Sequence, residues 1–126
     1  MNFTTLEEFK KTESYQKFIE ENPSTGRLKV EVFTAYKAVP IPDTEILITK
    51  DIDGSKVLFF RGLTDSSGMI SNIELPSKEE DKNYKPGDTA QYTMYDVTAI
   101  HEGYERIKKY DVAIFGDTGV IQYIKM

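Results

Sequence analysis

The spacing of apolar residues changes character at Gly26. Before it, Leu6, Phe9, Phe18 and Ile19 recur at helical intervals among Glu and Lys, from Thr4 to Asn22. Thr5-Leu6-Glu7-Glu8 has the spacing of a capping box, in which a threonine oxygen accepts an early backbone N–H and the glutamate three residues on reaches back. Thr12 and Ser14 interrupt the pattern and supply a second N-cap, so one long helix and two short ones both fit. Asn22-Pro23-Ser24-Thr25-Gly26 ends the stretch with turn residues. The apolar stripe needs cover, so this arm, residues 1–25, is expected to dock on the remainder of the chain. The alternative is a free arm whose Phe9 and Phe18 offer apolar area to a partner or a second copy.

From Arg27 the period falls to two. Leu28, Val30 and Val32 alternate with Lys29 and Glu31, which predicts a half-buried strand running to about Tyr36. Two prolines, Pro40 and Pro42, interrupt pairing before a second strand around Ile46 and Ile48. Further strands are expected over Val57–Leu63 and Met69–Leu75, the latter ended by Pro76. A long polar connection, Pro76 to Ala90, precedes strands over Tyr92–His101, Tyr104–Phe115 and Val120–Met126. Turn residues separate them about every ten positions, and no helical pattern lies between them. The prediction is therefore all-β: a seven-stranded antiparallel sandwich over residues 26–126, with the helical arm in front.

Composition narrows the chemistry. A chain of 126 residues suits one domain with a self-sufficient core. With no cysteine and one histidine, disulfides, thiol nucleophiles and a Cys/His zinc site are excluded. A net charge of −5 argues against nucleic acid as the partner. No apolar run reaches the roughly 18–20 residues of a membrane-spanning helix. Met1 to Lys11 carries Glu7 and Glu8 and no apolar block, so no signal peptide is read there and the expected location is cytoplasmic.

Few positions suggest a site. Asp51-x-Asp53-Gly54 opens like a calcium loop, but Ser55, Lys56 and Gly62 stand where the third ligand, the glycine and the closing glutamate belong, so a plain turn is preferred. Asp65, Ser66 and Asp117 hold a cation only if the fold gathers them. Ser66 or Ser67, His101 and an aspartate make a triad only on paper, because no Gly-x-Ser-x-Gly elbow is present. Among 21 acidic residues chance carboxylate pairs are expected, so a glycosidase pair carries little weight. Eight tyrosines, including Tyr84, Tyr92, Tyr95, Tyr104 and Tyr110, form either a platform for sugar rings or a protein, or ordinary strand positions. Tyr84 stands out because it lies in the charged connection, beside Lys85-Pro86-Gly87-Asp88.

Several short motifs resemble carboxypeptidase regulatory-like domains. Gly26-Arg27-Leu28-Lys29-Val30-Glu31-Val32 leading into Ile41-Pro42-Asp43-Thr44-Glu45-Ile46 is similar to that family's opening strand and the stretch after it. Leu63-Thr64-Asp65-Ser66-Ser67-Gly68 resembles its Thr-Asp-x-x-Gly turn, and Ile100-His101-Glu102-Gly103-Tyr104-Glu105 its Ala-x-Gly-Tyr corner. The closing Val112-Ala113-Ile114-Phe115-Gly116 and Gln122 to Met126 are most similar to members from spore-forming Firmicutes, which stand alone or precede cell-wall enzymes. The resemblance implies a transthyretin-like (prealbumin-like) Greek-key sandwich serving as an accessory module without a catalytic centre, cofactor or metal. The 5-hydroxyisourate hydrolases of that fold need more than one histidine and a Tyr-Arg-Gly-Ser ending; this chain has one histidine and ends Tyr123-Ile124-Lys125-Met126.

The function expected is a non-catalytic adaptor that binds a protein through loops at one end of the sandwich. Lys82, Tyr84 and Lys85 are the expected contacts, with Asp65 and Ser66 in a neighbouring loop. The alternative is a module for glycan, peptidoglycan or spore cortex, with a spore or cell-wall location. A hydrolase with an unrecognised carboxylate site is the remote third reading.

Overall fold

The computed structural model describes residues 3–79 and 91–126. In chain order its elements are β1 (Thr4–Thr5), α1 (Leu6–Phe9), α2 (Glu13–Glu21), β2 (Ser24–Phe33), β3 (Glu45–Ile52), β4 (Ser55–Leu63), β5 (Met69–Ser77), β6 (Tyr92–Ile100), β7 (Ile107–Phe115) and β8 (Gly119–Lys125). They build a five-stranded sheet, β1-β4-β3-β6-β7, against a three-stranded one, β5-β2-β8. The period-two pattern positions the core. Leu28, Val30, Val32 and Ile124 of the small sheet meet Ile46, Ile48, Val97, Ala99 and Ile114 of the large one.

The protein is mostly strand, as expected, but the strand count and directions differ. The described residues form eight strands rather than seven, because Thr4–Thr5 pairs in parallel with Val57 and Leu58. The sandwich is not wholly antiparallel either, since β8 runs parallel to β2 from Arg27↔Gly119 to Phe33↔Lys125. No helix is needed for that parallel pair, because nearly the whole domain serves as the connection. β2 stops at Phe33 instead of reaching Tyr36. Lys37 and Ala38 adopt left-handed backbone, and Thr34 N–H donates to Val39 O at 2.8 Å, so the chain turns back. Pro76 does not end its strand: it lies within β5, opposite Thr25 of β2, and β5 is an edge strand whose outer side requires no N–H.

The arm folds as two short helices and docks. Thr5 caps α1 by accepting Glu8 N–H at 3.2 Å, and Thr12 caps α2 by accepting Tyr15 N–H at 3.2 Å. Glu8 reaches back to the Thr5 hydroxyl at 3.0 Å, while Thr5 also belongs to β1. Phe9 and Phe18 are 3% and 5% exposed within the same core cluster as the sandwich, so they offer no free surface to a partner.

Tyr95 joins arm, sheet and edge. Its ring meets Phe59 edge-on at 5.2 Å, and its hydroxyl donates to Pro76 O. Burial raises the phenol above its ordinary pKa, so the folded state holds it neutral. The stability this contributes is present below the unfolded phenol's value, about 10, and is lost as pH rises beyond it. Tyr95→Phe is expected to cost about 1 kcal/mol at neutral pH through the lost hydrogen bond. It should also flatten the fall in Tm above about pH 10. Parallel alkaline declines for variant and wild type would contradict this assignment.

Candidate functional site

The residues singled out in the sequence fall into separate places. Asp65 Oδ1 accepts Ser67 N–H at 2.8 Å and Met69 N–H at 3.0 Å, so its carboxylate closes the β4–β5 turn. Ser66 is exposed on that turn. The neighbouring Thr64, unremarked as a site in the sequence, is buried. Its hydroxyl donates to Ile41 O at 2.8 Å and accepts Thr44 N–H at 2.9 Å, pinning the loop before β3. The Thr-Asp-x-x-Gly segment thus works as a structural joint.

Asp117 does not join Asp65. Asp117 N–H donates to Thr25 O at 2.9 Å, whereas Val32 N–H, near the other end of β2, donates to Gly68 O at 2.8 Å. The two aspartates therefore sit at opposite ends of that strand. Lys82, Tyr84 and Lys85 lie outside the described residues. The connection that carries them leaves from Ser77, opposite Ser24, at the end of β2 away from Asp65 and Ser66.

The remaining candidates serve turns. Asp53 and Gly54 form a two-residue hairpin with φ of 48° and 81°, and Asp53 Oδ2 accepts the Ser14 hydroxyl at 2.5 Å, tying the arm to the turn. His101 Nδ1 lies 2.7 Å from Glu102 O, with its ring against Tyr104 at 5.5 Å; no serine hydroxyl is its partner. Among the described residues no group of three or more His, Asp or Glu is placed to hold a metal. No helix among them is long and apolar enough to cross a membrane.

The tyrosines make no common platform among the described residues. Tyr95 is buried. Tyr110 is exposed on β7 of the large sheet, Tyr123 on β8 of the small sheet, and Tyr36 and Tyr104 in connecting segments. Among the described residues this distribution offers sugar rings no single flat face.

One surface was not legible in the sequence: the outer edge of β8, whose only strand neighbour among the described residues is β2. Arg27 N–H donates to Thr118 O at 3.0 Å and Met126 N–H to Phe33 O at 2.9 Å. Alternation along a strand then turns the backbone groups of Gly119, Ile121, Tyr123 and Lys125 away from β2. Gln122 Nε2 donates to Tyr123 O at 2.9 Å, consistent with that orientation. Ile121 and Tyr123 are 50% and 53% exposed, and the Tyr123 ring meets Phe33 at 6.4 Å.

The other edges are blunted. β1 has two residues. β5 bulges opposite Lys29 with Asn72 at φ 57° and contains Pro76. β7 carries a bulge where Asp111, at φ 55°, donates its N–H to Asp96 Oδ1 at 3.1 Å. Bulges and prolines discourage foreign strands. β8 has neither and keeps an unbroken register over seven residues. No family model matches the chain, and no curated protein matches it.

Proposed function

We propose that this protein is a non-catalytic binding module whose protein partner adds a strand to β8. The observation that carries the reading is the contrast among the sheet edges: three are blunted, and the fourth is straight, seven residues long and flanked by exposed Ile121 and Tyr123. Main-chain hydrogen bonds would supply affinity, and the apolar side chains at alternate positions would select the incoming segment. The partner segment is accordingly extended, with apolar residues at every second position.

The same reading keeps the carboxypeptidase regulatory-like, transthyretin-like assignment as its fold proposal. Support comes from the strand orders β4-β3-β6-β7 and β5-β2-β8, with β6 returning by a long connection to lie beside β3 as a Greek key requires. Loop contacts by Lys82, Tyr84 and Lys85 are a separate proposal, compatible with a partner on β8.

The test is Ile121→Lys/Tyr123→Lys, since edge lysines oppose strand addition. Partner captured from the native lysate is expected to be lost at least tenfold, and a photo-crosslinker replacing Tyr123 should join it directly. Asp65→Ala/Ser66→Ala should retain capture. A dimer in solution that the lysine pair dissolves would assign the edge to a second copy. Capture unaffected by the lysine pair would overturn the reading.

A further inference from the structure

The large sheet presents a different feature on its outer face. Thr49 of β3 and Thr98 of β6 point outward from the two central strands and form a low floor. Lys56 of β4 and Lys108 of β7 rise from the strands on either side, whose backbones lie about 14 Å apart at three strand spacings, and their long side chains approach one another over the floor. Long side chains around short ones leave a cavity of about 380 Å³, with Arg106 at the start of β7 and the rings of Tyr110 and Phe3 completing its wall.

The chemistry of this lining is one-sided. Three cations face the cavity, and no carboxylate is among its lining residues, in a chain whose net charge is −5. Lys56 is near enough to Lys108 to make the latter's protonated form harder to hold, adding to desolvation, while Asp96 and Asp51 act in the opposite sense. Asp96 is only partly available, since it stands 3.8 Å from Lys108 Nζ and its other oxygen accepts Asp111 N–H. Lys56 and Arg106 have no ion pair among the described residues. Thr49 and Thr98 are 2% and 5% exposed, and the described residues supply no hydrogen-bond partner to either hydroxyl, although no fully enclosed polar atom is left unsatisfied. Both hydroxyls therefore open on the cavity.

A second cationic cleft differs. Beneath α2, Lys50 and Lys78 share their space with Glu21, Asp51 and Asp53, and Lys50 Nζ donates to Met94 O at 2.8 Å, so that cleft neutralises itself. Gathering like charges without partners costs stability. Over Thr49 and Thr98, Asp96 at 3.8 Å and the Tyr110 ring at 4.8 Å offset part of that cost at Lys108, while Lys56 and Arg106 have no ion pair among the described residues.

We infer that this cavity binds the phosphate group of a small phosphate monoester. Three cations and two hydroxyls provide more donors than a carboxylate's two oxygens use, and they suit a tetrahedral dianion, with the arginine fork contributing paired donors. The volume exceeds that of phosphate alone, so an organic substituent fits against Tyr110 and Phe3. This site lies on the opposite sheet from β8 and stands independently of the partner proposed there.

The experiment is an amide chemical-shift titration of the full chain with phenyl phosphate, inorganic phosphate and benzoate. Saturable shifts at Thr49, Thr98 and Lys108 are expected, tightest for phenyl phosphate, weaker for phosphate and weakest for benzoate. Lys56→Gln and Lys108→Gln should each weaken phenyl phosphate at least tenfold. Lys56→Gln should leave the unliganded Tm equal or higher, because like-charge repulsion is relieved and no ion pair among the described residues is lost. Absence of saturation by phenyl phosphate in the millimolar range would overturn the inference, as would equal affinity in both variants. Benzoate binding as tightly as phenyl phosphate would overturn the phosphate assignment.

Discussion

Phe18→Ala is expected to destabilise the protein by about 3–5 kcal/mol, the range for emptying a buried phenylalanine site. The side chain lies where the arm meets the sandwich. Its ring packs against Phe9 at 6.1 Å and Phe59 at 5.6 Å, and Phe59 in turn meets Tyr95. Removing it opens a gap that rigid strands cannot close. A polar latch depends on the same helix end: Asn22 is buried, its Nδ2 donates to Phe18 O at 2.8 Å, and its Oδ1 accepts the Thr93 hydroxyl on β6. Against a total stability of about 5–15 kcal/mol, the loss is a large fraction. Tm should fall by roughly 10–20 °C at this chain length. Cleavage before Gly26 should accelerate in the variant while remaining slow in the wild type. Ile19→Ala, at a half-buried position on the same helix, should cost much less. A Phe18→Ala variant within 1 kcal/mol of wild type by denaturant unfolding would show that the arm is outside the cooperative unit.

How much of this was legible depends on the range of each signal. Local signals read well. Period-two alternation and the turn residues between strands located β2 to β8 to within about three residues, and Thr5 and Thr12 marked helix starts while leaving one long helix open, because capping and burial patterns are set within a few residues. Pro76 misled because a proline's effect on a strand depends on whether that strand lies at an edge, which only strand order decides. The two-residue β1 has no period of its own and exists because α1 carries Thr4 and Thr5 to Val57 and Leu58. Both proposed binding surfaces were hidden for the same reason. Lys56, Thr49, Thr98 and Lys108 lie on four strands, and their convergence needs the order β4-β3-β6-β7. The free side of β8 becomes visible only once β2 is known to have β5 as its other neighbour. The glycine-bearing Asp65 turn, by contrast, was readable as a turn, and the Asp65 carboxylate proved to be engaged in closing it.

That turn gives the second large effect, Gly68→Ala, and a way to separate its causes. Gly68 has φ of 71°, and an added Cβ would lie 2.5 Å from Val32 O and 3.0 Å from Ile41 N. The turn there carries the chain from the large sheet to the small one, and Val32 N–H donates to Gly68 O at 2.8 Å. Neither backbone neighbour can withdraw without loosening that crossing. Gly103 shares the left-handed backbone, φ 88°, but its Cβ would meet nothing within 4 Å. Gly26 has ordinary backbone, yet its Cβ would lie 2.4 Å from both Ile114 Cγ2 and Phe115 O. Gly103→Ala should therefore show the conformational cost alone, about 1–2 kcal/mol. Gly26→Ala should show overpacking alone, about 1–3 kcal/mol. Gly68→Ala combines both and should reach about 2–5 kcal/mol by denaturant unfolding. Asparagine tolerates the left-handed region, so Gly103→Asn should be nearly neutral while Gly68→Asn remains strongly destabilising. Equal rescue by asparagine at both positions would mean that backbone conformation alone, and not the contact with Val32, requires glycine at the joint between the sheets.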